Sequence, residues 1–232
     1  MTFRDNTEPA EMIRALIRSA DRACLSTGLA DPDGGTSPWP FGSLVMLACD
    51  HDATPILLMS DLSEHSKNLA RDRRASLLID GTVGLADALT GPRVTLLGEA
   101  LPDTDPVLRR RYLSRHPRAG FYAGFADFQI YRFALHRAHL VAGFGKVRWV
   151  EPAAIQTAAP WRDREPALLE RFAGQAAEIA ARAGLPEAPW QVVGVDPDGI
   201  DLRAENRVGR LCFPESVGLP DEIAAFLADH GP

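Results

Sequence analysis

The sequence predicts an α+β protein, an antiparallel β-barrel with helices as insertions followed by a small α+β domain. Three observations predict it. At least six strand-like runs fall at short spacing before residue 150, the pattern of an antiparallel barrel and not of a βαβ sheet. A stretch rich in Ala, Pro and charge, "EPAAIQTAAPWRDREP" (151–166), then reads as a linker. Beyond it come a helical run, a hairpin, a third strand and a closing helix. The expected domains are 1–150 and 158–232.

In order, "TEPAEMIRALIRSADRA" opens with Thr7 as N-cap and Pro9 in the first turn. Met12, Ile13, Leu16, Ile17 and Ala20 then recur at helical spacing and give one apolar face. "CLSTGL" is a first strand, and "ADPDGGTSPWP" is turn chemistry throughout. "FGSLVMLACD" and "PILLMS" are strands joined by "HDAT". A helix from Ser63 to about Arg71 leads to the strand "RASLLIDG", the loop "TVGLADALTG" and the strand "PRVTLLGEAL". Asp105 caps a helix that Pro106 starts and that ends near Pro117. "FADFQIYRFALHRAHLVAGFGKVRWV" supplies two or three more strands.

In the second domain a helix runs from about Pro166 to Ala183, with Leu168, Leu169, Phe172, Ala176 and Ile179 on one side. "WQVVGVDPDGIDLRAE" is a hairpin about Asp196-Pro197-Asp198-Gly199. Charge is uneven. Residues 1–157 carry 18 acids and 18 bases, whereas 158–232 carry 13 acids and 7 bases, so the net charge of −6 lies in the C-terminal third. A nucleic-acid or anionic-membrane partner is not expected of such a chain.

No run approaches a membrane span, and the N-terminus lacks a basic start followed by an apolar stretch, so a cytoplasmic location is the expectation. Cys24, Cys49 and Cys212 are far apart in apolar runs, which predicts buried reduced thiols and no metal framework.

"LMSDLSEHSKNLARDRRASLLI" (58–79) sets two strands about a charged, hydroxyl-bearing turn. A turn leading into a helix N-terminus aims N–H groups and the positive dipole end at one spot, which suits an anion. A capped surface helix would carry the same local chemistry, with Ser63 as its cap. The chain has 23 arginines and two lysines, Lys67 here and Lys146 in "GFGK".

The order of these parts resembles the pyridoxamine 5′-phosphate oxidase-like family of FMN-binding split barrels. "LSEHSKNLARDRRASLLI" carries most of the resemblance. "GFG" followed by Lys146, with "VVGVDPDGIDLRAENRVGRLCFP" in the second domain, is similar to the haem-utilisation (HugZ-type) branch with its fused C-terminal α+β domain. The resemblance implies a split barrel and a homodimer with its cofactor at the interface. It implies cofactor-binding roles for Ser43, Ser60, Ser63, His65, Lys67, Asn68 and Arg93, with Lys146 meeting a haem propionate. In that branch a histidine ligates the iron, and His230 is the candidate here. The chain departs from the family where Ser43 replaces an early-strand arginine and where Glu64 and His65 stand for an Arg-Lys pair.

Three functions follow as expectations. The main one is a flavin-dependent oxidoreductase, the second a haem-binding or haem-degrading protein, and the third a barrel that binds a ligand without catalysis. Other motifs fail. His136 and His139 on one strand face opposite sides, and "GFGK" is not a P-loop, since Leu140 and Val147 hold its first Gly and Ser/Thr positions. Asp127 reads as an acid at a strand start, and Trp149 and Trp190 as core or interface residues.

Overall fold

The computed structural model describes residues 7–31, 38–143 and 145–229. Helix α1 (Pro9–Ser19) has Glu8 at its N-cap with no side-chain cap bond, so Thr7 is not the cap, and it buries Ile13, Leu16 and Ile17. Strands β1 (Arg22–Leu29), β2 (Trp39–Met46), β3 (Ala48–Cys49) and β4 (Pro55–Ser60) follow, then helix α2 (Glu64–Arg71). Next come β5 (Arg74–Asp80), β6 (Pro92–Asp103), α3 (Pro106–Arg115), β7 (Phe128–Ala142) and β8 (Val147–Val150). Among the described residues these strands form an eight-stranded sheet in the order β2-β1-β5-β6-β7-β4-β3, with β8 beside β7.

Every pairing in this sheet is antiparallel. β2 and β3 end the sheet at opposite sides, yet only Leu47 separates them in the chain, so the sheet curls into a barrel. The barrel is split along one edge of β7. There β4 pairs with Phe128 to Arg132, and β8 pairs with Ala138 to Val141. A bulge between Leu97 and Gly98 sharpens the bend, and Gly98 is required because a Cβ would lie 2.2 Å from the Ala134 carbonyl.

Alternation along the strands fills the barrel with Leu25, Leu77, Ile79, Val94, Leu96, Phe133 and Leu140, and α1 packs onto this core. A second cluster joins Ile56 and Leu58 on the other face of β4 to Leu108 and Tyr112 of α3. Cys49 is buried, as the sequence predicts. Cys24 and Cys212 are exposed, because their strand positions put them on outward faces.

The segment after the barrel is anchored, unlike a loose linker. Helix α4 (Pro152–Ile155) buries Ile155 fully, Trp161 is buried, and Arg162 pairs with Asp50 and Asp105. Helices α5 (Glu165–Phe172) and α6 (Ala176–Arg182) replace the one predicted helix, separated by a 3-10 turn at Ala173–Gln175 around Gly174. Strands β9 (Gln191–Asp196), β10 (Gly199–Ala204) and β11 (Arg207–Cys212) form an antiparallel sheet, and α7 (Pro220–Asp229) closes this unit. Its own core gathers Phe172, Ile179, Trp190, Ile200, Leu202 and Ile223.

The two parts meet through buried charge. Arg18 of α1 reaches Asp196 at 3.1 Å and Asp198 at 2.6 Å. Arg111 of α3 pairs with Glu165, and Arg115 pairs with Asp201 at 3.2 Å. In these pairings the barrel supplies arginines and the C-terminal unit carboxylates, which uses part of the acidic excess seen in the sequence, while Arg162 pairs in the opposite sense with Asp50 and Asp105. These guanidinium forks also satisfy backbone: Arg18 donates to the carbonyls of Asp50 and His51, Arg111 to Cys49 and Arg115 to the end of α1. The interface holds α3 from one side, while Leu108 and Tyr112 hold it to β4 from the other.

Candidate functional site

Where β4 leaves the sheet, two hydroxyls fix the turn into α2. Ser60 donates to Asp127 at 2.5 Å and accepts from the Leu62 amide at 3.1 Å. Ser63 donates to the Ser60 carbonyl at 2.7 Å and lies 3.0 Å from the Ser66 hydroxyl. Ser63 occupies the N-cap position but makes no side-chain cap bond.

Beside this turn lies a cavity of about 340 Å³, set in the gap between β2 and β4. It is lined by Leu44, Val45 and Met46 of β2, Leu58 and Met59 of β4, Tyr112 of α3, and Tyr122 and Phe128. Ser60, Ser63 and His65 supply its polar rim. Tyr122 and Phe128 lie 4.7 Å apart between ring centroids, and Phe125 meets Phe128 edge-on at 6.5 Å. Phe121 (85% exposed) and Phe125 (53%) extend this aromatic group into solvent.

The structure brings Ser60, Ser63 and His65 together and separates the other predicted site residues. Ser43 pairs with Leu25 on β1 and does not line the cavity, although its neighbour Leu44 does. Asn68 is fully buried and donates to Thr27 at 3.0 Å, so it clamps α2 to the barrel. Lys67 points to solvent and pairs with Glu64 at 3.6 Å. Arg93 stands on β6 opposite Asp80 and Val141, with β1 and β5 between it and β2. Lys146 is exposed in the turn between β7 and β8, where Gly143 and Gly145 take positive φ. Gly143, Gly145 and Lys146 therefore belong to a turn that joins β7 to β8. His230 lies outside the described residues.

Sequence reasoning missed the aromatic group. Its signal was present in "GFYAGFADF", where Phe121, Tyr122, Phe125 and Phe128 crowd around two glycines.

The electrostatics decide what the site suits. Burial lowers the His65 imidazole below its ordinary pKa and so favours the neutral ring. Burial likewise pushes the Tyr112 phenol up, which keeps it protonated. Asp61, Glu64 and Asp127 border the turn, and the one lysine there already faces Glu64. A flavin phosphate would meet hydroxyls whose protons are committed to Asp127 and Ser60, next to three carboxylates. The fit is poor, because an anion needs free donors.

A tetrapyrrole fits better. Its apolar face matches the aliphatic and aromatic walls, and a neutral imidazole at the rim is an iron ligand type. The volume is at the low end of the roughly 300–1,000 Å³ of small-molecule sites, so the cavity would enclose such a ring only in part. Among the described residues no group of three or more His, Cys, Asp or Glu side chains is placed to hold a bare metal ion.

The family model described as CREG, β-barrel matches residues 4–156. The chloroplastic haem oxygenase HOZ of Arabidopsis thaliana is 35% identical over 138 residues, which are 58% of this chain and 40% of that protein. This chain therefore spans less than half of that relative's length. A protein of unknown function from Agrobacterium tumefaciens superposes with a TM-score of 0.81 at 27% identity, covering 99% of this chain and 98% of the other. A haem-binding protein from Mycobacterium smegmatis gives 0.59 at 26% identity, covering 98% and 97%. The last two matches extend through the C-terminal unit.

Proposed function

We propose that this chain, which belongs to the CREG β-barrel family, is a haem-binding split-barrel protein of the haem-utilisation kind. The observation that carries the proposal is the cavity between β2 and β4, lined by aliphatic and aromatic side chains together with Ser60, Ser63 and His65. The haem-binding protein of similar structure and the haem oxygenase of similar sequence support it. The flavin-dependent reading is the weaker one, because the carboxylates at the turn oppose a phosphate.

The experiment is a parallel titration of the purified chain with haemin and with FMN, followed by absorbance. A saturable Soret change with haemin and no saturable flavin response supports the proposal, and the reverse result contradicts it. Haem breakdown is a separate arm: with an electron donor and dioxygen, an oxygenase would lose the Soret band as an open-chain tetrapyrrole forms, and a binding protein would keep it.

A homodimer belongs to the same reading. On the outer face of the sheet Leu44, Cys24, Leu78, Thr95, His139 and Trp149 lie in register across β2, β1, β5, β6, β7 and β8. Leu44 is 72% exposed and Trp149 49%. A second copy would cover this apolar row, and the face runs into the cavity through Leu44 and Met46. A solution mass near twice 25.2 kDa is expected, and a monomer would refute the dimer. We also propose the units 1–150 and 158–232 as domains, and a reducing compartment such as the cytoplasm, which suits two exposed free thiols.

A further inference from the structure

Resting on the haem reading, we propose that His65 is the protein ligand to haem iron in this chain, in place of a C-terminal histidine. Among the described histidines His65 alone lines the cavity, and among the described residues its ring has no hydrogen bond, ion pair or ring contact.

The other rings are occupied or lie elsewhere. His51 is fully buried, with Nδ1 at 3.2 Å from Asp50 and Nε2 at 3.5 Å from Glu165. His116 donates from Nε2 to the Leu47 carbonyl at 2.8 Å. His139 packs on Trp149, with ring centroids 4.6 Å apart, on the outer face of the sheet. His136 is exposed on β7 away from the cavity.

Iron binding needs a neutral imidazole with a free lone pair. His65 meets that need twice over. Burial disfavours its cation, and its place in the first turn of α2 sets it at the positive end of the helix dipole. The ring is also held in position. Ser60 and Ser63 fix the turn before it, and Asn68 ties the helix to Thr27 three residues later. Among other ligand types in the cavity, Tyr112 would have to ionise against its burial. Tyr122 is the competitor that the experiment must separate.

The test is a haemin titration of the wild type, His65→Ala and Tyr122→Phe, with Soret position, resonance Raman and electron paramagnetic resonance of the ferric complex. Urea midpoints establish that each variant is folded. The wild type should show a nitrogenous axial ligand. His65→Ala should lose that signature and bind haemin at least roughly ten-fold more weakly, since even outer-shell partners of metal ligands are worth that much. Added imidazole should restore the wild-type spectrum to His65→Ala, and Tyr122→Phe should keep it without help.

A folded His65→Ala with unchanged spectrum and affinity overturns the ligand assignment and leaves the haem reading standing. Failure of imidazole to rescue, or loss of the signature in Tyr122→Phe alone, overturns it equally. If the wild type shows no saturable haemin response, the haem reading falls and the assignment falls with it.

Discussion

His65 and Lys67 stand two residues apart in one short helix, and their surroundings have little in common. His65 turns its ring to the apolar cavity, whereas Lys67 lies in solvent against Glu64. The sequence shows both as polar groups in one turn, and residue types alone do not say which faces inward. Ser60, Ser63 and His65 were readable as a group because they follow a strand end and open a helix. Ser43, Asn68, Arg93 and Lys146 were not separable from them, because the resemblance aligns positions and cannot show that the Asn68 amide is already bonded to Thr27 or that a strand lies elsewhere. The same limit applies to Asp196. Its burial raises the carboxyl pKa, but Arg18, Arg210 and Arg111 more than offset this and hold it well below the usual range. Asp196→Asn would leave buried guanidinium groups without their counter-charge. We expect a loss of about 3–5 kcal/mol, read from urea unfolding, and a change near zero would show that the arginines find other partners.

Among the elements, the strands were readable because each is an apolar run between turn residues, alternating in β6 and continuous in β4. The long apolar helix after residue 165 was readable in extent but not in its break at Gly174, which a helical apolar pattern does not reveal. The supposed linker misled for a related reason. Ala, Pro and charge look like solvent-exposed chain, yet Ile155 and Trp161 fill pockets and Arg162 pairs with Asp50 and Asp105. The loop between β5 and β6 is different, since residues 83–90 are all exposed. Limited proteolysis with chymotrypsin should therefore cut at Leu85 or Leu89 before it cuts anywhere in 151–165. First cleavage within 151–165 would mean that the docked segment opens readily.

For the whole molecule, the barrel and the C-terminal unit were readable as two cores, but the charged layer between them was not. The uneven charge count was visible, and only the structure turns it into docking between barrel arginines and carboxylates of the second unit. Acid should loosen the molecule in two stages. His65 and His116 have lowered pKa values, His116 through burial only partly offset by the Leu47 carbonyl. The unfolded chain therefore takes up their protons first, and stability falls as pH drops below about 6.5. Asp50 is also lowered. Burial raises it, but bonds from His51 and Arg162 outweigh that, and Asp196 behaves likewise. Their contribution is present above the unfolded carboxylate pKa of about 3.9 and is lost as pH falls below it. Urea midpoints across this range should show both declines, and a flat profile from neutral pH to about pH 5 would contradict the histidine stage.

The claim that the cavity between β2 and β4 holds haem is tested most directly by a haemin titration of Met46→Trp beside the wild type. Met46 lines that cavity from the outer edge of β2 and is 37% exposed, so a larger ring there fills the opening without crowding the barrel core. The wild type should give a saturable Soret change, and the variant should lose it while its urea midpoint stays close to that of the wild type. Equal haemin affinity in the two proteins would contradict the account and place the ligand elsewhere.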